Sequence, residues 1–307
     1  MTALLLAAGS AAAPGGIAAA RAAEATLYAG PEADPAFSEL APELVTALFP
    51  EHRLALAPVA GAEAALDHVA QEPGALAIAD LAAMLDYAAR HGSGTTLEFH
   101  GQLSRQCLLA FARRGGWVHG FADIADAHGQ PQPTVGLVGA DAAATLAELR
   151  RLDPGLAELD VTPGTAGELA GRVAHGSLDL LLMVAQAGFD DAAAARLADD
   201  TRLVELPVVT RMLAHAAAAA DSGFTLALPR PASGLPWVEP PPMTLCTPVG
   251  VVLRSDAAPA LREAVAAAAP RVAAMFQRPD FLARATTAAK SALHDAAGSI
   301  RGLLDPP

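Results

Sequence analysis

The stretch Gly74-Ala75-Leu76-Ala77-Ile78-Ala79-Asp80 runs straight into Leu81 to Arg90, and the two together decide how the chain is read. Five apolar residues without polar alternation predict a strand buried on both faces, the pattern of a parallel sheet covered by helices on each side. Asp80 closes that run where the next helix begins, a position at which a carboxylate accepts a backbone N–H as N-cap. The same order recurs upstream. Ala25 to Ala29 reads as a strand stopped by Gly30-Pro31, and Phe37, Leu40, Leu44, Val45 and Leu48 then recur at helical spacing. Arg53 to Val59 reads as a second strand, and Ala64, Ala65, Leu66 and Val69 form another helical stripe. Strand and helix alternating in this way argue for βαβ crossovers in an α/β fold.

Downstream, Leu97 to Ala112 reads as one long extended stretch, after which the pattern restarts. Thr134 to Val138, Leu159 to Thr162, Leu178 to Val184 and Leu203 to Leu206 are predicted strands. Ala142 to Arg150, Thr165 to Val173 and Ala192 to Ala198 are predicted helices, the first capped by Asp141 after a Gly139-Ala140-Asp141 turn. Pro229 to Pro242 reads as a proline-rich linker, and Met243 to Leu253 as a returning strand. Ala257 to Leu304 reads as helices broken near Pro270 and Pro279. Because the element order occurs twice, two similar lobes are expected rather than one large sheet.

The charge balance excludes some functions. Of 307 residues, 20 are Lys or Arg and 33 are Asp or Glu, so a net charge of -13 repels a phosphate backbone, and no nucleic-acid partner is expected. A mean hydropathy of +0.33 invites a membrane reading, yet only the start of the chain approaches the roughly 20 apolar residues of a spanning helix. That start carries Leu4-Leu5-Leu6 and small-x-small sites after Ala22 and Ala25. It reads as a secretory signal peptide over residues 1–25, although no Lys or Arg follows Met1. The nine histidines show no HExxH spacing, no GxSxG elbow precedes a helix, and no phosphate loop carries its Lys. No cofactor, metal or catalytic residue is expected, and the chain is read as a binder rather than an enzyme.

Ala60-Gly61-Ala62-Glu63-Ala64-Ala65-Leu66-Asp67, followed by Gly74 to Asp80, resembles a segment of type II periplasmic solute-binding proteins. Phe121-Ala122-Asp123-Ile124, Thr134 to Gly139 and Ala170 to Leu182 are similar to later segments in the same order. Leu203 to Pro207 and Thr247 to Leu253 resemble the late strands of the TAXI family, the receptor subunits of a class of TRAP transporters. One departure is the second-lobe turn, usually rich in Gly, Ser and Thr but here Gly139-Ala140-Asp141-Ala142-Ala143.

The resemblance implies the two-lobed type II fold, each lobe a mostly parallel sheet flanked by helices, joined by crossing strands. It places lobe 1 at 26–112, lobe 2 at 113–242, and a return strand with C-terminal helices at 243–307. It implies a periplasmic receptor that passes a small solute to membrane transporter subunits, with a ligand-sensing domain or an enzyme of the same fold as alternatives. Cys107 and Cys246 fall in the candidate hinge strands, which relatives place side by side, so the resemblance also raises a disulfide between them.

In a parallel sheet the ligand crevice lies at the carboxyl ends of the strands. The candidates there are Gly30, Pro31 and Glu32; Gly61, Ala62 and Glu63; Asp80; Gly139, Ala140 and Asp141; and Gln186. On the crossing stretch Gln102, Arg105 and Gln106 join them, with the Arg105 guanidinium able to grip a carboxylate from two sides. An organic acid, an amino acid or an apolar molecule is the expected solute. If Asp141 points into the cleft, it counts against a phosphate-like ligand.

Overall fold

The computed structural model describes residues 25–32, 34–49, 51–92, 96–126, 133–187, 191–219, 223–230 and 240–276. The expected leader up to residue 24, most of the proline-rich segment and the break near Pro279 lie outside them.

The first half opens with β1 (Ala25–Ala29), a π-helical turn (Ala36–Leu40) running into α1 (Ala41–Leu48), and β2 (Leu54–Pro58). It continues with α2 (Ala62–Gln71), β3 (Leu76–Asp80), α3 (Leu81–His91) and β4 (Leu97–Arg113). The second half holds α4 (Phe121–Ala125), β5 (Thr134–Val138), α5 (Gly139–Leu152), a 3-10 turn (Pro154–Leu156), β6 (Asp160–Gly164) and α6 (Ala166–Ala174). Then come β7 (Leu180–Gln186), α7 (Ala192–Asp199), β8 (Leu203–Leu206), α8 (Arg211–Ala217) and β9 (Thr225–Ala227). The chain returns through β10 (Thr244–Arg254) to α9 (Pro259–Phe276). The short α4, α8 and β9 carry too few turns or alternations for a periodic signal and escaped the sequence reading.

Strand pairing repeats. In the first half the order is β2-β1-β3-β10-β4, with β10 antiparallel to both neighbours. In the second half it is β6-β5-β7-β4-β8, with β4 now the antiparallel strand between β7 and β8. One correction concerns continuity: the hydrogen bonding forms a single ten-stranded sheet, not two separate ones. The reason is length. At about 3.3 Å per residue, the 17 residues of β4 reach through both halves. The strand pairs with β10 from Leu97 to Cys107 and with β7 from Gln106 to Ala112. The β10–β4 register slips on both sides of Gly250, opposite the stretch holding Gly101 with φ +65°, a β-bulge at the crossing.

Helices cover both faces because the central strands are apolar on both. Leu76 and Ile78 of β3 pack toward α1 and α9, while Ala77 and Ala79 pack toward α2 and α3. In the second half Leu180 and Leu182 of β7 join α4, α5 and α8, while Leu181 and Met183 join α6 and α7. Phe111 of β4 is wholly buried in the latter cluster, and removing such a side chain from water contributes about 1.5–3 kcal/mol. The expected break at Pro270 is absent. Pro270 lies inside α9 on its exposed side, and Val265, Ala268, Ala269 and Val272 continue the buried stripe across it.

The architecture is the two-lobed α/β arrangement expected from the resemblance. Across the two crossing strands, Cys107 and Cys246 form a disulfide, with Cα atoms 4.0 Å apart.

Candidate functional site

The carboxyl ends of β1, β3, β5 and β7 converge on the crossing of β4 and β10, and a cleft opens there. Its inner chamber measures about 30 Å³. Gly30 and Asp34 come from the loop after β1, and Gly61 and Ala62 from the start of α2. Asp80 ends β3, Gln106 and Gln186 come from β4 and β7, and Asp141 from the first turn of α5. Gly61, Ala62 and Asp141 also line an outer groove of about 300 Å³ between α2, α3 and α5. A carbon placed on Gly61 would lie 3.8 Å from Asp141 Oδ1, so the second half reaches the first across the cleft.

Local chemistry sets each carboxylate. Asp34 Oδ1 accepts the Ala36 N–H at 2.7 Å in a tight turn, and the bare Gly30 leaves room for its side chain. Asp80 Oδ1 accepts the Ala83 N–H at 2.8 Å, capping α3 as expected. The Ala82 N–H of the same helix goes to Thr247 Oγ1 at 3.1 Å, so these donors at its start are already used. Asp141 is a correction: Gly139, with φ +79°, turns the chain so that α5 begins there with Val138 as N-cap. The Asp141 side chain is thereby freed from capping and faces the cleft.

Burial dominates the electrostatics. It pushes Asp80 up to about 6, the Ala83 N–H opposing and the Asp141 charge adding to the rise. It also raises Asp141, helped by Asp34, and raises Asp34 against the pull of the Ala36 N–H. Gln106 and Gln186 stand opposite each other in the β4–β7 register; the Gln106 amide lies against the Asp80 carboxylate, while Gln186 Nε2 is buried without a hydrogen-bond partner among the described residues. In the outer groove the Arg90 guanidinium donates to Glu63 at 2.6 Å and Asp86 at 2.8 Å, and the Tyr87 hydroxyl donates to Asp67 at 2.9 Å.

Of the residues singled out from sequence, the chamber gathers Gly30, Gly61, Ala62, Asp80, Gln106, Asp141 and Gln186, and the groove adds Glu63 and Ala140. Pro31, Glu32, Gln102, Arg105 and Gly139 are exposed and line neither. Alternation along β4 explains Arg105: Gln106 points into the chamber, so its neighbour points away. Asp34, Ile78 and Val249 line the chamber and were not singled out. Asp34 sat two residues beyond Glu32 in a loop already marked as cleft-facing, which was the available signal. Among the described residues no group of three or more His, Cys, Asp or Glu side chains is arranged to hold a metal ion.

No family model and no curated protein matches the sequence. Solved structures similar to the chain include the substrate-binding protein of an amino acid ABC transporter, at 9% identity over 84% of this chain and 99% of that one, with a TM-score of 0.48. A second is an ancestral arginine-binding protein bound to arginine, at 11% identity over 84% of this chain and 99% of that one, also with a TM-score of 0.48. A TctC solute-binding protein from Polaromonas is similar at 13% identity over 82% of this chain and 84% of that one, with a TM-score of 0.47.

Proposed function

We propose that the chain is an extracytoplasmic solute-binding receptor, of the TAXI type that serves TRAP transporters, which shuts over one small molecule and releases it unchanged to membrane subunits. The observation that carries this reading is the cleft, built by both halves at the carboxyl edges of a twice-repeated sheet and spanned by two crossing strands. In this reading residues 26–112 and 113–242 are the jaws, 243–307 returns to the first jaw, and 1–25 is a leader removed on export to the periplasm. Contacts that a solute makes to both jaws offset the cost of closing them. The Cys107–Cys246 bond supports export, since such bonds persist in oxidising compartments.

Of the solute classes considered from sequence, an anionic organic acid fits least. It would meet Asp34, Asp80 and Asp141 without the help of Arg105, which lies outside the cleft. The test is to express the full chain in an exporting host, map the mature N-terminus, and screen metabolites by thermal shift. A single solute class should raise the melting temperature as RT ln(1 + [L]/Kd) predicts, with cleavage near Ala22 or Ala25 and no chemical change in the solute. Turnover of the bound molecule, or retention in the cytoplasm, would overturn the reading.

A further inference from the structure

Beside the outer groove, α3 of the first half lies against α5 of the second. The two sides of α3 belong to different cores: Met84 and Tyr87 pack with α2, whereas Ala82 packs into the cluster that holds Leu146 and Leu149 of α5. Any change in the angle between the halves must move this seam.

Charged side chains cross the seam in alternating order. Arg90 Nη1 donates to Glu63 at 2.6 Å and Arg90 Nε donates to Asp86 Oδ2 at 2.8 Å, all within the first half. On the far side Arg151 Nε donates to Glu148 Oε2 at 2.8 Å, within α5. The step between them runs from Arg151 Nε to Asp86 Oδ1 and is longer, at 3.9 Å. Among the described residues it is the one ion pair that joins the two halves. Asp86 and Glu148 are buried, so salt screens them less than it would a surface pair.

Each oxygen of Asp86 thus faces a different half. When the halves part, Asp86 keeps Arg90 and Arg151 keeps Glu148, so no buried charge is left without a partner and opening costs little. When they draw together by about 1 Å, the long step becomes a charge-assisted hydrogen bond like its neighbours. Asp86 and Arg90 also line the outer groove, so a molecule lying there touches the same seam. Resting on the receptor reading above, we propose that Asp86 and Arg151 form a reversible latch between the jaws. The latch favours the closed state and so raises the affinity of the cleft for its solute, because apparent affinity scales with the closed fraction.

The test is pulsed electron resonance between nitroxides on Glu39→Cys in the first half and Glu168→Cys in the second, exposed positions that line neither cavity. The chain's own cysteines are both taken up in the disulfide. Without solute, raising sodium chloride from about 0.1 to about 1 M should lengthen the distance between the labels. Arg151→Gln, whose amide can still donate to Glu148, should do the same, raising the open-to-closed ratio about 2- to 5-fold, the range of a partly exposed ion pair. Asp86→Asn should match it, and the double variant should open no further than either alone. Arg202→Gln, which removes a pair confined to the second half, should leave the distances as they are. Additive opening in the double variant would overturn the latch. If a solute from the metabolite screen shortens the distance while salt and Arg151→Gln change nothing, the latch falls and the receptor reading stands. One fixed distance in every condition, the screened metabolites included, would overturn both.

Discussion

Cys107 of β4 stands directly across from Cys246 of β10, and their sulfurs are bonded at the point where the two strands pass from one half to the other. The bond spans 139 residues of sequence and fastens the crossing rather than either core. Cross-linking so distant a pair restricts the unfolded chain, and removal of such a bond typically costs about 2–5 kcal/mol. Cys107→Ser with Cys246→Ser should lower stability by that amount in urea titration. Intact mass of the native chain should rise by two hydrogens on reduction. Equal midpoints for the two forms would show that the crossing is held by its sheet pairing alone.

Asp80 should make stability fall as pH rises. Its carboxyl is raised from 3.8 to about 6 in the folded chain, so between those values the native state binds more protons than the unfolded state. The contribution is complete below about 4 and is lost as pH climbs through about 6. Asp34 and Asp141 face the same chamber and are raised in the same direction, which steepens the decline. Asp80→Asn, which keeps an oxygen for the Ala83 N–H, should flatten the profile over that window in pH-dependent melts. A slope identical to that of the native chain would contradict the burial argument.

Phe111 is fully buried in the core of the second half, on the strand that also carries Gln106 into the cleft. Phe111→Ala should destabilise by about 3–5 kcal/mol, read from denaturant unfolding. A loss below about 1 kcal/mol would mean that the core closes over the void more readily than its packing implies.

Gly101 and Gly139 separate two roles of glycine. Both have positive φ, at +65° and +79°, but a methyl on Gly101 would run into Ala269 of α9 whereas one on Gly139 meets nothing within 4 Å. Gly139→Ala should cost about 1–2 kcal/mol of backbone strain. Gly101→Ala should cost more, because α9 must also shift. Comparing the two unfolding midpoints checks the ranking, and an equal cost would show that α9 yields freely.

Much of the fold was legible because buried strands and amphipathic helices leave periodic traces. Ala75 to Ala79 and Leu178 to Val184 read as apolar runs and became β3 and β7, and the helix read over Thr165 to Val173 became α6. The sheet's continuity was not legible, since β4 changes partners halfway along and a strand's own pattern does not name its neighbours. In the cleft, Asp80 was readable as the residue ending a buried strand before a helix. Asp141 was read as a cap, and the positive φ of Gly139 started α5 three residues earlier. Arg105 looked suited to a carboxylate by residue type, and the pleat turned it to solvent.

The order of side chains determined which segments became strands and helices, the doubled βα rhythm, and the surplus of negative charge. These follow from local periodicity and from summing ionisable groups, which need no partner. Tertiary structure alone decided that three aspartates from distant segments share one chamber with two glutamines, and that no free guanidinium joins them among the described lining residues. Such an outcome depends on register, pleat direction and the docking of one half on the other, quantities set by packing between segments far apart in the chain.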